Sequence, residues 1–206
     1  MDRVKKIGSR IKIPAVVVFA AILCGSLTGY WNFVIPIPYR SLSPFQGKVI
    51  DADTKETISE AVVLAAYYLT SFSVAGGISS IVDGQENVTD EKGEFRLSRK
   101  RSWFVLLRGY PEGTLVIFKP GYGVFPNHKR SEAVGVNKSW PPPNKYIVYE
   151  IPKLKTNSER RSNLPGAFSF KEISYEKQKT YIDAINEERK NLGLNPYPVP
   201  QKEIQK

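Results

Sequence analysis

One cysteine and one histidine stand among 206 residues, and each scarcity closes off a class of chemistry. The lone cysteine, Cys24, leaves no second thiol for an internal disulfide or a cysteine-based metal site, so the folded part must hold together by burial and hydrogen bonding. The lone histidine, His128, supplies no zinc-peptidase ligand set and only one general base for the serines, none of which sits in a Gly-x-Ser-x-Gly elbow. It falls in the polar run Pro126 to Arg130, where a solvated ring is the plainer reading. No catalytic set and no cofactor site is legible. Long apolar runs are also scarce: after residue 40 the longest, residues 61–69, is too short to span a bilayer as a helix.

The one long uncharged stretch is at the start. Arg3, Lys5, Lys6, Arg10 and Lys12 precede residues 13–27, which carry no charge, and the next charge is Arg40. This is the basic and apolar order of an export signal. It also suits a retained anchor: Pro14 is tolerated in a first helical turn, Pro36 and Pro38 end the helix, and Tyr30, Trp31 and Phe33 would lie at the outer interface with the basic end inside. Cys24, followed by Gly25 and Ser26, resembles the acylated cysteine of lipoproteins, although Leu23 stands where a small residue usually precedes it. Cleaved signal, anchor and lipid attachment at Cys24 all remain open. Each delivers the rest of the chain across a membrane.

The formal charge of +10 splits unevenly, because the first twelve residues hold five of the cations against Asp2. The remaining excess suits solubility, and it would also attract anionic lipid or polyanionic glycan at long range. An extracytoplasmic location makes nucleic acid a poor partner.

The chain holds 15 Gly and 15 Pro, and from Phe45 onward they break a sequence of ordinary apolar content into short pieces. Residues 45–51 alternate as a strand and residues 51–56 are turn-rich; residues 61–69, full of β-branched and aromatic side chains, read as a buried strand. Residues 71–85, with Gly76, Gly77 and Gly84, suit an extended hairpin or loop. Residues 87–97 read as strand, turn, strand, with Asp90 accepting turn amides, Gly93 at positive φ, and Phe95 and Leu97 on one face. Further strands are predicted near 103–107, 114–119 and 146–151. Six or seven short strands in about 110 residues predict a mainly β, two-layered sandwich.

Four segments in order carry a resemblance: residues 45–51 (FQGKVID), 57–63 (TISEAVV), 88–95 (VTDEKGEF) and 119–122 (KPGY). They resemble the carboxypeptidase regulatory-like domain family over residues 45–152, apart from a longer insertion at 67–87. The Thr-Asp-x-x-Gly-x-Phe turn is the most specific match. The resemblance implies a seven-stranded prealbumin-like (transthyretin-like) β-sandwich, an accessory module of bacterial envelope proteins, and structural or binding work without hydrolysis. A transthyretin-related hydrolase would share the sandwich but needs several histidines and a C-terminal motif missing here. The implied organisation is 1–40 signal or membrane anchor, 45–152 sandwich, 153–168 linker, 169–193 C-terminal helix and 194–206 tail.

Three surface sets are candidates for binding. Arg96, Arg99, Lys100, Arg101 and Arg108, flanked by aromatics, would suit an anionic surface, or simply a solvated hairpin end. Trp103, Tyr110, Tyr122 and Trp140 would give a glycan platform if exposed, and cover a core edge if not. Asp51, Asp53, Asp83 and Asp90 have the hard oxygens calcium favours, but their spacing lacks a calcium-loop pattern and turn capping accounts for them. No metal site is therefore assigned. Partners remain a membrane through the N-terminus and an envelope protein or glycan; the readings are a structural or protein-binding module, then a glycan-binding module, then an accessory enzyme with an unfamiliar site.

Beyond the polar stretch at 153–163, Ser169 and Glu172 have capping-box spacing, so a helix is predicted from about 170 to 192, ending at Gly193 before Pro196. Ile182, Ile185 and Leu192, with Tyr175 and Tyr181 nearby, make a narrow apolar stripe that suits one shallow contact, on the chain's own sandwich or else with a partner or a second copy.

Overall fold

The computed structural model describes residues 40–73, 76–98, 101–102, 111–136, 141–142, 144–166 and 172–198, all within Ile37–Lys206. The N-terminal segment with Cys24, and Arg99, Lys100, Trp103, Arg108, Tyr110, Trp140 and Ser169, lie outside them, as does the strand predicted at 103–107. Among the described residues no helix is long and apolar enough to cross a membrane.

The alternation in residues 45–51 becomes strand β2 (Phe45–Asp51), whose odd positions are buried and even positions half-buried. It sits inside a four-stranded sheet, between β5 (Glu94–Leu97), antiparallel, and β9 (Tyr146–Ile151), parallel; β8 (Glu132–Ala133) closes the far side. The second sheet places β3 (Val62–Ser73) between β4 (Gly76–Val88) and β7 (Pro111–Phe118), all antiparallel. A short pair, β1 (Arg40–Ser41) with β6 (Arg101–Ser102), stands apart. The chain is thus mainly β, with sheets of four and three strands, as the turn spacing predicts. Residues 71–85 resolve to the hairpin alternative, since β3 and β4 pair from Val62↔Val88 out to Ser73↔Gly76, with a bulge between Tyr67 and Tyr68.

The apolar run at 61–69 is unbroken because β3 is covered on both faces. Val63, Ala65 and Tyr67 join Leu115 and Ile117 of β7 in a core shared with Phe45, Val49, Phe95, Leu97, Ile147, Tyr149 and Ile151 of the other sheet. Val62, Leu64 and Ala66 join Val116 and Phe118 in a second core on the opposite face. A strand with period-two side chains feeds two cores only if both its faces are apolar.

The second core is closed by the C-terminal segment. Helix α2 (Lys179–Asn191) contributes Tyr181, Ala184 and Ile185, and Ile173 ahead of it fills the space left by Gly84, whose missing Cβ would lie 2.6 Å from the isoleucine side chain. Fully burying an aliphatic side chain such as Ile185 contributes roughly 1.5–3 kcal/mol. The helix docks on its own sandwich, making a third layer.

Two sequence expectations are corrected here. The helix begins at Lys179, not near 170: residues 172–178 turn and include a 3₁₀ turn at Tyr175–Lys177, which sets Ile173 into the core and Lys177 on the Asp83 carboxylate. Glu172 starts no helix. The expected linker at 153–168 instead contains a short helix, α1 (Asn157–Ser162), with a complete capping box in which Thr156 accepts from the Glu159 N–H and Glu159 accepts from the Thr156 N–H.

The Thr-Asp-x-x-Gly-x-Phe turn has a clear mechanical role. Buried Thr89 accepts from the Ala61 N–H and donates to the Ile58 carbonyl, both at 2.8 Å, tying β4 to the strand entry opposite. Asp90 accepts from the N–H groups of Lys92 and Glu94 at 2.9 and 2.8 Å. Gly93 takes φ +73° with its Cα against the Val49 carbonyl, where a Cβ would come within 2.6 Å. Phe95 then enters the core.

Candidate functional site

The sequence-predicted binding residues do not converge among the described residues. Tyr122 is half-buried against the inter-sheet core, Arg96 is exposed on β5, and Arg101 pairs with Ser41 through the backbone. The four aspartates do separate local work. Asp51 accepts from the N–H groups of Asp53 and Thr54, Asp53 pairs with Arg130, Asp83 pairs with Lys177, and Asp90 shapes its turn. Among the described residues no three His, Cys, Asp or Glu side chains gather as a metal-binding group.

What does converge is a cleft of about 720 Å³ between the loop after β7 and the segment around α1. Val116, Val124 and Tyr181 supply apolar lining, with Leu164 and Pro165 beside them; His128, Lys129, Arg130, Lys153, Lys155 and Glu159 supply the charge and titratable groups. Such a volume is that of ordinary small-molecule sites, which combine apolar walls with a few polar groups.

The two walls are fastened to each other. The Gly123 N–H donates to the Pro152 carbonyl and the Leu154 N–H to the Gly121 carbonyl, each at 2.8 Å. Asn163, buried at the end of α1, accepts from the Val124 N–H at 3.1 Å and donates to the Tyr122 carbonyl at 2.9 Å. The α1 wall is in turn bound to α2: Arg160 donates through Nε and Nη2 to the two oxygens of Glu188 at 2.7 and 2.6 Å, and Arg161 donates to the Leu192 carbonyl at 2.8 Å. Glu188 is only 3% exposed, so this bidentate pair is what makes its burial tolerable.

The cleft is cationic. Against four basic lining residues stands one acid, Glu159, whose Oε2 is already engaged with the N–H groups of Lys155 and Thr156 at 3.0 and 3.1 Å. Those two backbone donors hold its carboxyl below the usual range. Arg130 is satisfied by Asp53 from outside the cleft. Lys153 and Lys155 make no side-chain ion pair among the described residues, and both also line an adjoining cleft of about 560 Å³ that contains Asp51 and Asp53.

His128 is not the freely solvated ring expected from its polar neighbours. Its imidazole lies against Gly123, where an added Cβ would meet it at 2.8 Å, and Nδ1 accepts from the Arg130 N–H at 3.2 Å. Partial burial, then the Arg130 charge, push its pKa below 6.5, with Glu159 opposing.

Sequence reading missed Lys129, Arg130, Lys153, Lys155 and Asn163 as a group. One signal was present: Thr156 and Glu159 have the same capping-box spacing that was assigned to Ser169 and Glu172. Reading it there would have replaced the linker with a helix facing the His128 loop. In comparisons with protein-family profiles, characterised proteins and solved structures, the chain matches none.

Proposed function

We propose that the chain is a non-catalytic, membrane-tethered module of the bacterial cell envelope, a carboxypeptidase regulatory-like, prealbumin-type sandwich making structural or protein-binding contacts. Residues 1–40 form the tether and the folded part lies on the far side of the membrane. The observation that carries this reading is the placement of the four resembling segments on one two-sheet body. Residues 45–51 form an inner strand, 57–63 lead into the strand buried on both faces, 88–95 form the Thr89–Gly93 turn, and 119–122 turn the chain after β7. The tether is supported by the order of basic and then uncharged residues ahead of Arg40, where the first strand begins.

Cell fractionation with a C-terminally tagged chain tests both halves. The tag is expected to stay with carbonate-washed membranes and to be digested by protease added to intact spheroplasts. A tag in the soluble cytoplasmic fraction, or one protected inside spheroplasts, overturns the reading. Affinity capture from crosslinked membranes then identifies the contact partner.

A further inference from the structure

We propose that the cleft between the His128 loop and α1 binds a small ligand bearing one oxyanion group, phosphate or carboxylate, on a sugar-sized body, with Lys153 and Lys155 as the cationic contacts. The inference rests on the geometry of the cleft and does not depend on where the chain resides. Several features act together.

Four basic residues line the space against Glu159, and counting Asp53 as the partner of Arg130 still leaves a net positive site. A cleft with low-dielectric walls concentrates such a field on whatever enters it. The walls here are Val116, Val124, Leu164 and Pro165. Among the described residues Lys153 and Lys155 have no carboxylate partner, whereas the nearby cations Arg130, Arg160 and Lys177 all have one. An ammonium group is a compact point charge that meets an oxyanion from several directions, so no bidentate geometry is required.

The cleft is also preorganised. Asn163, the Gly121–Leu154 and Gly123–Pro152 backbone bonds, and the Arg160–Glu188 pair hold the walls in place without a ligand. Ordering such walls is a cost of binding, and here the fold has already met it. His128 also lines the cleft, and partial burial and then the Arg130 charge lower its pKa, which favours the neutral, hydrogen-bonding ring.

The chain's single histidine makes the test direct, because its ring resonances need no assignment. The detergent-solubilised full chain is titrated with glucose 6-phosphate, glucuronate and glucose while the histidine signals are followed by NMR. At least one anionic sugar is expected to shift them saturably, with glucose inert. A response to glucose 6-phosphate alone assigns the group as phosphate, to glucuronate alone as carboxylate, and to both as any oxyanion.

The double variant Lys153→Gln/Lys155→Gln is expected to weaken binding about tenfold or more, the scale of lost charge-assisted hydrogen bonds. Lys92→Gln, at an exposed turn lining neither cleft, is expected to leave it unchanged. No saturable shift with either anion, an equal response to glucose, or an equal loss in Lys92→Gln overturns the proposal. The comparison of anionic with neutral sugar decides the matter in the unmodified chain even if the double variant fails to fold.

Discussion

The carboxylate of Glu86, on β4, accepts hydrogen bonds from the Thr180 N–H and hydroxyl at 3.0 and 2.8 Å through one oxygen, and from the Tyr181 N–H at 3.0 Å through the other. The start of α2 therefore has its cap on a residue 94 positions earlier. Gln178, the local N-cap residue, makes no capping bond with its side chain. A helix leaves its first amides unpaired, and a negative group near them also favours the helix dipole. Here the sheet, not the chain next door, meets both needs.

Glu86→Ala is accordingly expected to destabilise the protein by about 1–2 kcal/mol, the range for loss of a helix cap. Chemical denaturation measures it. Hydrogen exchange should accelerate first at Thr180 and Tyr181, with β3 and β7 protected. Glu86→Gln, which keeps an acceptor, should cost less. Equal exchange rates in Glu86→Ala and the unmodified chain would mean that the contact contributes nothing.

This relationship marks the boundary of what residues disclose in order. The strands were legible because their signals are local: alternation in residues 45–51, the turn at Asp90 and Gly93, and the apolar run at 61–69 each follow from neighbours in the chain. The helix end at Gly193, with φ +69°, was legible for the same reason. Its start was not, because Ser169 and Glu172 offered a local cap while the true one comes from β4. The cleft was illegible too: His128 and Lys155 line one space because Asn163 and two backbone bonds fasten segments far apart in sequence, and each basic run alone reads as solvated surface.

Arg160 and Glu188 give a second prediction. With Glu188 3% exposed, removing its partner strands a buried carboxylate, so Arg160→Met should cost about 3–5 kcal/mol. The double variant Arg160→Met/Glu188→Leu should recover much of that loss, since an apolar pair leaves no charge to desolvate. Denaturant midpoints of the two variants test the ranking. A double variant less stable than the single one would show that the ion pair supplies more than it costs.

Tyr149 gives a prediction of opposite sign. Its ring is buried in the inter-sheet core, with Phe125 at 5.0 Å and Phe95 at 5.8 Å between centroids, and burial pushes its pKa far up. Its hydroxyl has no hydrogen-bond partner among the described residues. A buried hydroxyl without a partner costs about 1–3 kcal/mol, so Tyr149→Phe should leave stability unchanged or raise it by about 1 kcal/mol. Thermal and denaturant unfolding check this; a loss above about 1 kcal/mol would reveal a partner for the hydroxyl.

His128 reports the electrostatics of the cleft through the sign of three shifts. Partial burial and Arg130 hold its pKa below the ordinary 6.5, and Glu159 draws it back up. As pH falls, the unfolded chain takes up this proton first, so the residue withdraws stability below about pH 6.5 and withdraws none well above it. Arg130→Ala removes a facing cation and frees Asp53, so the titration midpoint should rise. Glu159→Gln keeps an acceptor for the Thr156 capping box but deletes the opposing charge, so the midpoint should fall further. One NMR titration per variant reads the midpoint from the single imidazole. An unchanged midpoint in Arg130→Ala would mean that burial alone sets the pKa, and a lowered one that the field assigned to Arg130 has the wrong sign.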